Sequence, residues 1–394
     1  MVRFRNCRED KTIMNDILII PLEGRIDSNN ATEVEKNIFN TIGGDFSRSI
    51  AFDATNLSYI SSAGLRILMK VRKESGREVR VTGVSVDVYE TFSVTGFTEI
   101  LNVEKRIREL SVKGCEVIGR GFFGTVYRID DETIVKVYNT PDAIDMIKNE
   151  QRMAKAAFVA GIPTAISFDM VRVGEGYGSV FEMLHAKTYN DLIIEEPDNA
   201  DEIIESYVNF LKLVHETKME KDRLPSAKNI FLEILYNVKD YFNDDLYGRI
   251  KDFIEKIPDM ENVVHGDFQM KNVMLSDGEP MLIDMDTLSV GHPIFDLQGL
   301  YVTYKLFKED EPDNTLNFLG ISSEMADHIW DRIIEIYFKD RDASEVEAIQ
   351  NDIICLACVR FLNILTTSDL KNGELGERRI NRSVSTLEKL LCKD

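Results

Sequence analysis

Apolar positions in the first hundred residues switch between two periods. Ile17-Leu-Ile-Ile is an apolar run closed by Pro21 and Gly24, which predicts a strand. Ala31, Val34, Ile38 and Ile42 recur at helical spacing, and Gly43-Gly44 stops that helix. Ser49 to Asp53 predicts a buried strand, Ala63 to Val71 a helix stopped by Ser75-Gly76, and Val79 to Thr82 another strand. Val86 to Val94 predicts a helix ending at Gly96. Alternating strands and helices of this kind make an α/β unit, a sheet with helices packed on it. Residues 105–113 are charged and lack a Pro or Gly run, so they predict a stiff or helical link. Residues 115–184 then read as a small strand-rich lobe with one helix, Ala143 to Ala157. From 185 to 394 helical periodicity dominates, broken only over His265 to Asp286. No internal repeat or low-complexity tract is present. The expected division is 1–110 and 111–394, an α/β unit followed by a two-lobed α+β unit.

Charge supports that division. The chain of 394 residues has a net charge of −21, yet residues 1–110 hold 16 basic and 16 acidic side chains, so the whole imbalance lies downstream. An acidic surface argues against nonspecific DNA binding or an anionic membrane. At 44% hydrophobic residues a packed core is feasible. No run of about 18 apolar residues stands out, so no membrane span is expected, and the N-terminus lacks the apolar stretch of a secretory signal. Five cysteines, an odd number, fit a reducing cytoplasm. Cys355-Leu-Ala-Cys358 sits in an apolar helical run without a second such pair, which predicts core cysteines and no zinc site.

The chemistry is concentrated in four motifs. Gly119-Arg-Gly121-Phe-Phe-Gly124 precedes Val126-Tyr127, and Lys136 follows across a turn at Asp130-Asp131. Glycines at that spacing let a backbone approach phosphate oxygens. The strand after them differs from a dinucleotide-binding turn, which requires a helix there. Lys136 lies between Val135 and Val137 in an apolar strand, so it needs a carboxylate partner, for which Glu150 is the candidate. His265-Gly266-Asp267-Phe-Gln-Met-Lys-Asn272 then leads to Leu282-Ile-Asp284-Met-Asp286 through a predicted hairpin. This is the order of parts that moves a phosphoryl group off a nucleotide: a loop over the phosphates, a lysine on them, an Asp addressing the acceptor, an Asn and a second Asp for the metal. His265 is expected to be a structural hydrogen-bonder.

On these motifs residues 115–394 resemble the aminoglycoside phosphotransferase and choline kinase family, the small-molecule branch of the protein-kinase-like fold. The resemblance implies ATP and Mg2+ as cofactors. It assigns Lys136 to the nucleotide phosphates, Glu150 to its ion pair, Asp267 to catalysis, and Asn272 and Asp284 to the metal. Glu182-Met-Leu184 would face adenine through its backbone, and Asp286 and Asp296 would support the site. His-Gly-Asp replaces the His-Arg-Asp of protein kinases and no Ala-Pro-Glu segment follows, which favours a small-molecule acceptor.

Upstream, Leu57-Ser-Tyr-Ile-Ser61-Ser62-Ala-Gly64-Leu65 and the Glu23-Gly-Arg-Ile-Asp27 turn resemble STAS domains, the anti-sigma-factor antagonist fold, over about residues 14–108. In that family a serine here is phosphorylated by a partner kinase, and binding of a protein partner switches. Ser62 is the better match and Ser61 falls where many members carry Asp. A serine at this point can equally be a plain helix N-cap. The expected function is a cytoplasmic, ATP- and magnesium-dependent phosphotransferase acting on a hydroxyl or amine of a small molecule, regulated or localised by the STAS domain. The alternatives are a nucleotide-binding signalling module and a kinase for a STAS serine, its own Ser61 or Ser62 or a partner's.

Overall fold

The computed structural model describes residues 17–121, 124–141, 143–184, 186–220 and 223–392. They form two compact units that divide at Ser111 and Val112. In the first, β1 (Ile17–Ile26), β2 (Ser49–Ile60), β3 (Arg80–Val84) and β4 (Asn102–Lys105) make a parallel sheet in chain order. Parallel neighbours require crossover connections, and α1 (Ala31–Ile42), α2 (Ser62–Ser75) and α3 (Val86–Val94) supply them. Buried and exposed residues alternate along β1, with Ile20 and Leu22 inside and Ile19 exposed, so that strand packs on one face. Ile38, Leu65, Leu68, Val71 and Phe92 close a core around Phe52 and Val81. The three helix stops read from glycine hold: Gly43 and Gly76 cap α1 and α2 with φ of 64° and 62°, and Gly96, φ 73°, follows the Thr95 cap of α3.

Residues 105–113, expected to be stiff or helical, contain no helix; Lys105 ends β4 and Arg108–Glu109 is extended. Nine residues are too few to repay helix nucleation without a packed face.

The second unit begins with an antiparallel sheet. Its strands β5 (Glu116–Arg120), β6 (Gly124–Arg128), β7 (Thr133–Tyr138), β8 (Asp169–Val173) and β9 (Gly176–Glu182) lie in the order β8-β9-β7-β6-β5. One helix, α4 (Ile144–Val159), belongs to this lobe. The helical lobe follows, built from helices such as α5 (Tyr189–Glu195), α6 (Ala200–Glu216), α7 (Ala227–Asn237) and α8 (Asp244–Lys256). A hairpin, β10 (Val273–Ser276) with β11 (Glu279–Leu282), interrupts them. Its turn residues Asp277 and Gly278 have φ of 50° and 82°, the doubly left-handed turn for which Asp-Gly is the preferred sequence. The chain ends on α9 (Ile294–Tyr301), α10 (Asn314–Leu319), α11 (Ser323–Tyr337), α12 (Ala343–Thr367) and α13 (Gly373–Leu391).

Helix α12 contains the apolar run around Cys355 and Cys358. Among the described residues it is the one helix long and apolar enough to cross a membrane, and half of its apolar window is buried in the core. Its Cys355 and Cys358 are both buried, and burial pushes the Cys355 thiol up to about 12. Trp330 is also core, 2% exposed and edge-on to Tyr301.

Gly64 in α2 carries a clear packing constraint. A Cβ there would stand 2.7 Å from Ile60 Cγ1 and 2.8 Å from Ile26 Cγ2. Gly64→Val should overpack this core by about 1–3 kcal/mol. A thermal melt should show the first unit unfolding several degrees earlier; an unchanged midpoint would refute the constraint.

Candidate active site

The site is assembled around the turn between Val264 and Asn272, where most backbone groups have a hydrogen-bond partner. Asp296, at the start of α9 and 1% exposed, accepts from the His265 amide at 2.9 Å and the Gly266 amide at 2.6 Å. His215 Nε2 of α6 lies 2.9 Å from the same carboxylate. Burial by itself would raise this carboxyl, but the hydrogen bonds from His215 and the His265 amide, with the nearby imidazoles, hold it below the ordinary value. Thr287 donates to the His265 carbonyl at 2.7 Å. Tyr207 donates to the Phe268 carbonyl, and the Met270 amide donates to the Tyr304 hydroxyl at 3.3 Å. Tyr304 sits in a π-helical turn, Val302–Leu306, that continues α9.

Gly266 has φ of +86°, and a Cβ there would stand 2.7 Å from the Thr287 carbonyl oxygen. The glycine is therefore a backbone requirement. His265 is fully buried. Its Nε2 lies 3.2 Å from the Ile283 carbonyl, and its Nδ1 accepts from the Asp267 amide at 3.3 Å. These bonds fix the tautomer with the proton on Nε2 and use both ring nitrogens, so the imidazole is a strut.

That framework presents Asp267. Its Oδ2 receives Asn272 Nδ2 and Gln269 Nε2, each at 3.0 Å, while among the described residues nothing donates to Oδ1. Asn272 also bonds the Asp267 carbonyl at 2.9 Å through the same nitrogen, which leaves its own Oδ1 as a hard oxygen donor.

From the other lobe β7 brings Lys136. Its ammonium lies 2.5 Å from Asp284 Oδ1 and 3.3 Å from Glu150 Oε1 of α4. Burial would lower this ammonium, but the two carboxylates override it and hold it well above the usual lysine value. Tyr138, two residues on, donates to Glu150 Oε2 and lies 3.3 Å from Ser179. Burial, with the Glu150 charge, pushes that phenol far up. Asp284 itself has φ of +62°, a costly conformation for a non-glycine residue, and it follows β11 after Ile283. Asp286 is half-buried beside it and is pushed up to about 7 by burial and by the Asp284 charge. Glu150, Asp284 and Asp286 thus crowd Lys136, and the Asp267 charge also acts on Asp286.

The glycine-rich segment has two kinds of glycine. A Cβ on Gly124 would stand 2.5 Å from the Val137 carbonyl, so close packing of β6 on β7 requires it. Gly119 and Gly121 have only ordinary contacts at 3.7 and 3.9 Å. The tip residues Phe122 and Phe123 lie outside the described residues. Glu182 ends β9, and the Met183 amide is committed to the Glu132 carbonyl at 2.7 Å, between Glu182 and Leu184.

The profile of the phosphotransferase enzyme family matches residues 114–321, more than half of the chain. The chain belongs to the phosphotransferase enzyme family. The STAS profile matches residues 10–110, so this phosphotransferase carries an N-terminal STAS domain. Over 93 residues, 23% of this chain and 79% of the relative, it is 31% identical to BtrV of Bordetella bronchiseptica, described as a candidate anti-sigma factor antagonist. Among solved structures, the gentamicin complex of APH(2")-IIa is 14% identical with a TM-score of 0.45, covering 77% of this chain and 96% of that one. ADP-bound APH(2'')-Ib is 14% identical with a TM-score of 0.46, covering 78% and 100%.

In the STAS domain the structure separates the two serines. Ser61, not Ser62, is the N-cap of α2: its hydroxyl accepts from the Ala63 amide at 3.2 Å. Ser62 is the first helical residue and is exposed. Capping needs non-helical backbone angles, and Ser61, with ψ of 174°, has them.

Asp296 makes the phosphotransferase unit testable. Asp296→Ala would leave two buried amides and His215 without their acceptor, a loss of about 3–5 kcal/mol by the usual cost of breaking a buried charged network. Urea unfolding would measure it. Because the folded carboxyl titrates below its unfolded value, its contribution is complete above about pH 4 and is lost only as pH falls through the depressed value.

Proposed function

We propose that residues 112–392 form an ATP- and magnesium-dependent phosphotransferase acting on a hydroxyl or amine of a small molecule, in the cytoplasm. The observation that carries this reading is the convergence of Lys136, paired with Glu150 and Asp284, on a rigid turn whose Asp267 keeps one carboxylate oxygen open.

Lys136 is placed to exchange part of its carboxylate contact for nucleotide phosphate oxygens, with Glu150 holding its stem in position. Asp267 Oδ1 orients the acceptor O–H or N–H. The acceptor oxygen or nitrogen forms a bond to the γ-phosphorus, the bond from that phosphorus to the bridging oxygen breaks, and ADP leaves. The acceptor's proton passes to Asp267 late in the transfer. Among the described residues no three His, Cys, Asp or Glu side chains converge as a closed metal cage. The Asn272 and Asp284 oxygens fit magnesium nonetheless, because that ion keeps waters and takes phosphate oxygens with only one or two protein ligands. Bound there, magnesium would neutralise charge on the phosphates. The carboxyl crowding that pushes Asp286 up to about 7 marks a site short of positive charge. Free cysteines throughout the described residues support the cytoplasmic assignment.

The STAS domain regulates or localises this activity through a protein partner. Ser62 is the better regulatory serine, since it is exposed and its hydroxyl is not the cap, while phosphate at a helix N-terminus meets favourable amides and dipole. A second reading, that the kinase unit phosphorylates a STAS serine, rests on the same exposure.

Two experiments test the reading. Asp267→Ala should abolish acceptor-stimulated ADP release across aminoglycosides, choline, ethanolamine, homoserine and sugars, a fall of at least about 100-fold, while nucleotide binding persists. Retained turnover would remove Asp267 from the chemistry. With γ-labelled ATP, label on a small molecule supports the first reading; label on the protein that Ser62→Ala removes supports the second.

A further inference from the structure

Gln269 is not among the residues that the phosphotransferase motif assigns, yet it touches the proposed catalytic group. Its Nε2 donates to Asp267 Oδ2 at 3.0 Å. The amide orientation is forced, since the flipped form would set Oε1 against a carboxylate oxygen. The other end of that amide is unusual. Oε1 is buried and has no hydrogen-bond partner among the described residues. Leaving a buried acceptor unpaired is destabilising, and a leucine or methionine would fill the same volume without that cost. A packing role therefore does not account for a glutamine here.

We infer that Gln269 is a positioning residue for Asp267. Together with Asn272 it ties down Oδ2, so that the open Oδ1 faces the acceptor. One donor alone would leave the carboxylate free to rotate about its Cβ–Cγ bond. Two donors on one oxygen, from side chains on either side of Met270-Lys271, fix the rotation. No third side chain on the turn donates to Asp267: Lys271 is turned away, stacked on Phe318 with its ammonium against the Phe318 carbonyl.

This inference rests on the proposed phosphotransferase activity. The test uses the whole chain with magnesium and ATP and takes water, the acceptor always present, as the probe. Asp267-dependent hydrolysis is followed for wild type, Gln269→Leu and Gln269→Lys, alongside ADP affinity and thermal melting. Leucine removes both ends of the amide. Lysine restores a donor toward Asp267 but supplies no acceptor. The expected result is a fall in kcat of at least about tenfold in Gln269→Leu, the size of effect one lost charge-assisted hydrogen bond produces. Gln269→Lys should recover most of it, with ADP affinity and melting midpoint unmoved in both. Equal rates in Gln269→Leu and wild type would overturn the inference, as would a lysine variant no better than leucine or a parallel loss of ADP affinity. Absence of Asp267-dependent hydrolysis in wild type would overturn the phosphotransferase reading itself, and this inference with it.

Discussion

The buried carboxylate of Asp296 is the constraint on which the site rests. One side chain, fully enclosed, accepts from two consecutive backbone amides and faces a histidine from another helix. A buried charge persists only where hydrogen bonds replace the water it has lost, so the carboxylate and the amides fix one another. The turn that carries Asp267 is thus tied to the core of the helical lobe and is not a surface loop free to drift. Tyr207 and Tyr304 extend the same logic to Phe268 and Met270. Preorganised groups need little rearrangement when charge develops in a transition state, which is what phosphoryl transfer asks of a protein.

The other half of the site is arranged on the opposite principle, an imbalance of charge. Lys136 satisfies Glu150 and Asp284, while Asp286 carries a carboxyl pushed up to about 7 by burial and its neighbour. Asp284 takes a left-handed backbone to reach the lysine. Strain and crowding at one residue, against full satisfaction a few residues away, mark where a ligand's charges fit.

Several positions gained meaning only from packing. Gly124 and Gly266 look alike in sequence to Gly119 and Gly121. The first two are demanded by backbone that passes within 2.7 Å of a would-be Cβ, and the others are not. Ser61 and Ser62 are adjacent and chemically identical. One residue of helical phase makes the first a cap and exposes the second. The long apolar helix α12 is covered over half of its apolar window by neighbours distant in sequence. Local composition does not say whether a neighbour will cover a face.

The sequence by itself determined the α/β unit, the strand-rich lobe, the Asp-Gly hairpin and the family. These depend on local periodicity, turn chemistry and the order of motifs, all of which are written within short windows of chain. It also paired Lys136 with Glu150, because a lysine in an apolar strand requires a partner, named Asp267, Asn272 and Asp284 from the order of motifs, and named Asp296 through the family resemblance. Only the tertiary structure decided how they meet. Tyr138 on Glu150, His215 on Asp296, Tyr207 and Tyr304 on the turn, and the half-satisfied amide of Gln269 left no trace in sequence. Aromatic and amide residues at those spacings are compatible with an ordinary core, and most of their partners are far along the chain. Which atom each one meets is fixed only when segments distant in sequence pack together.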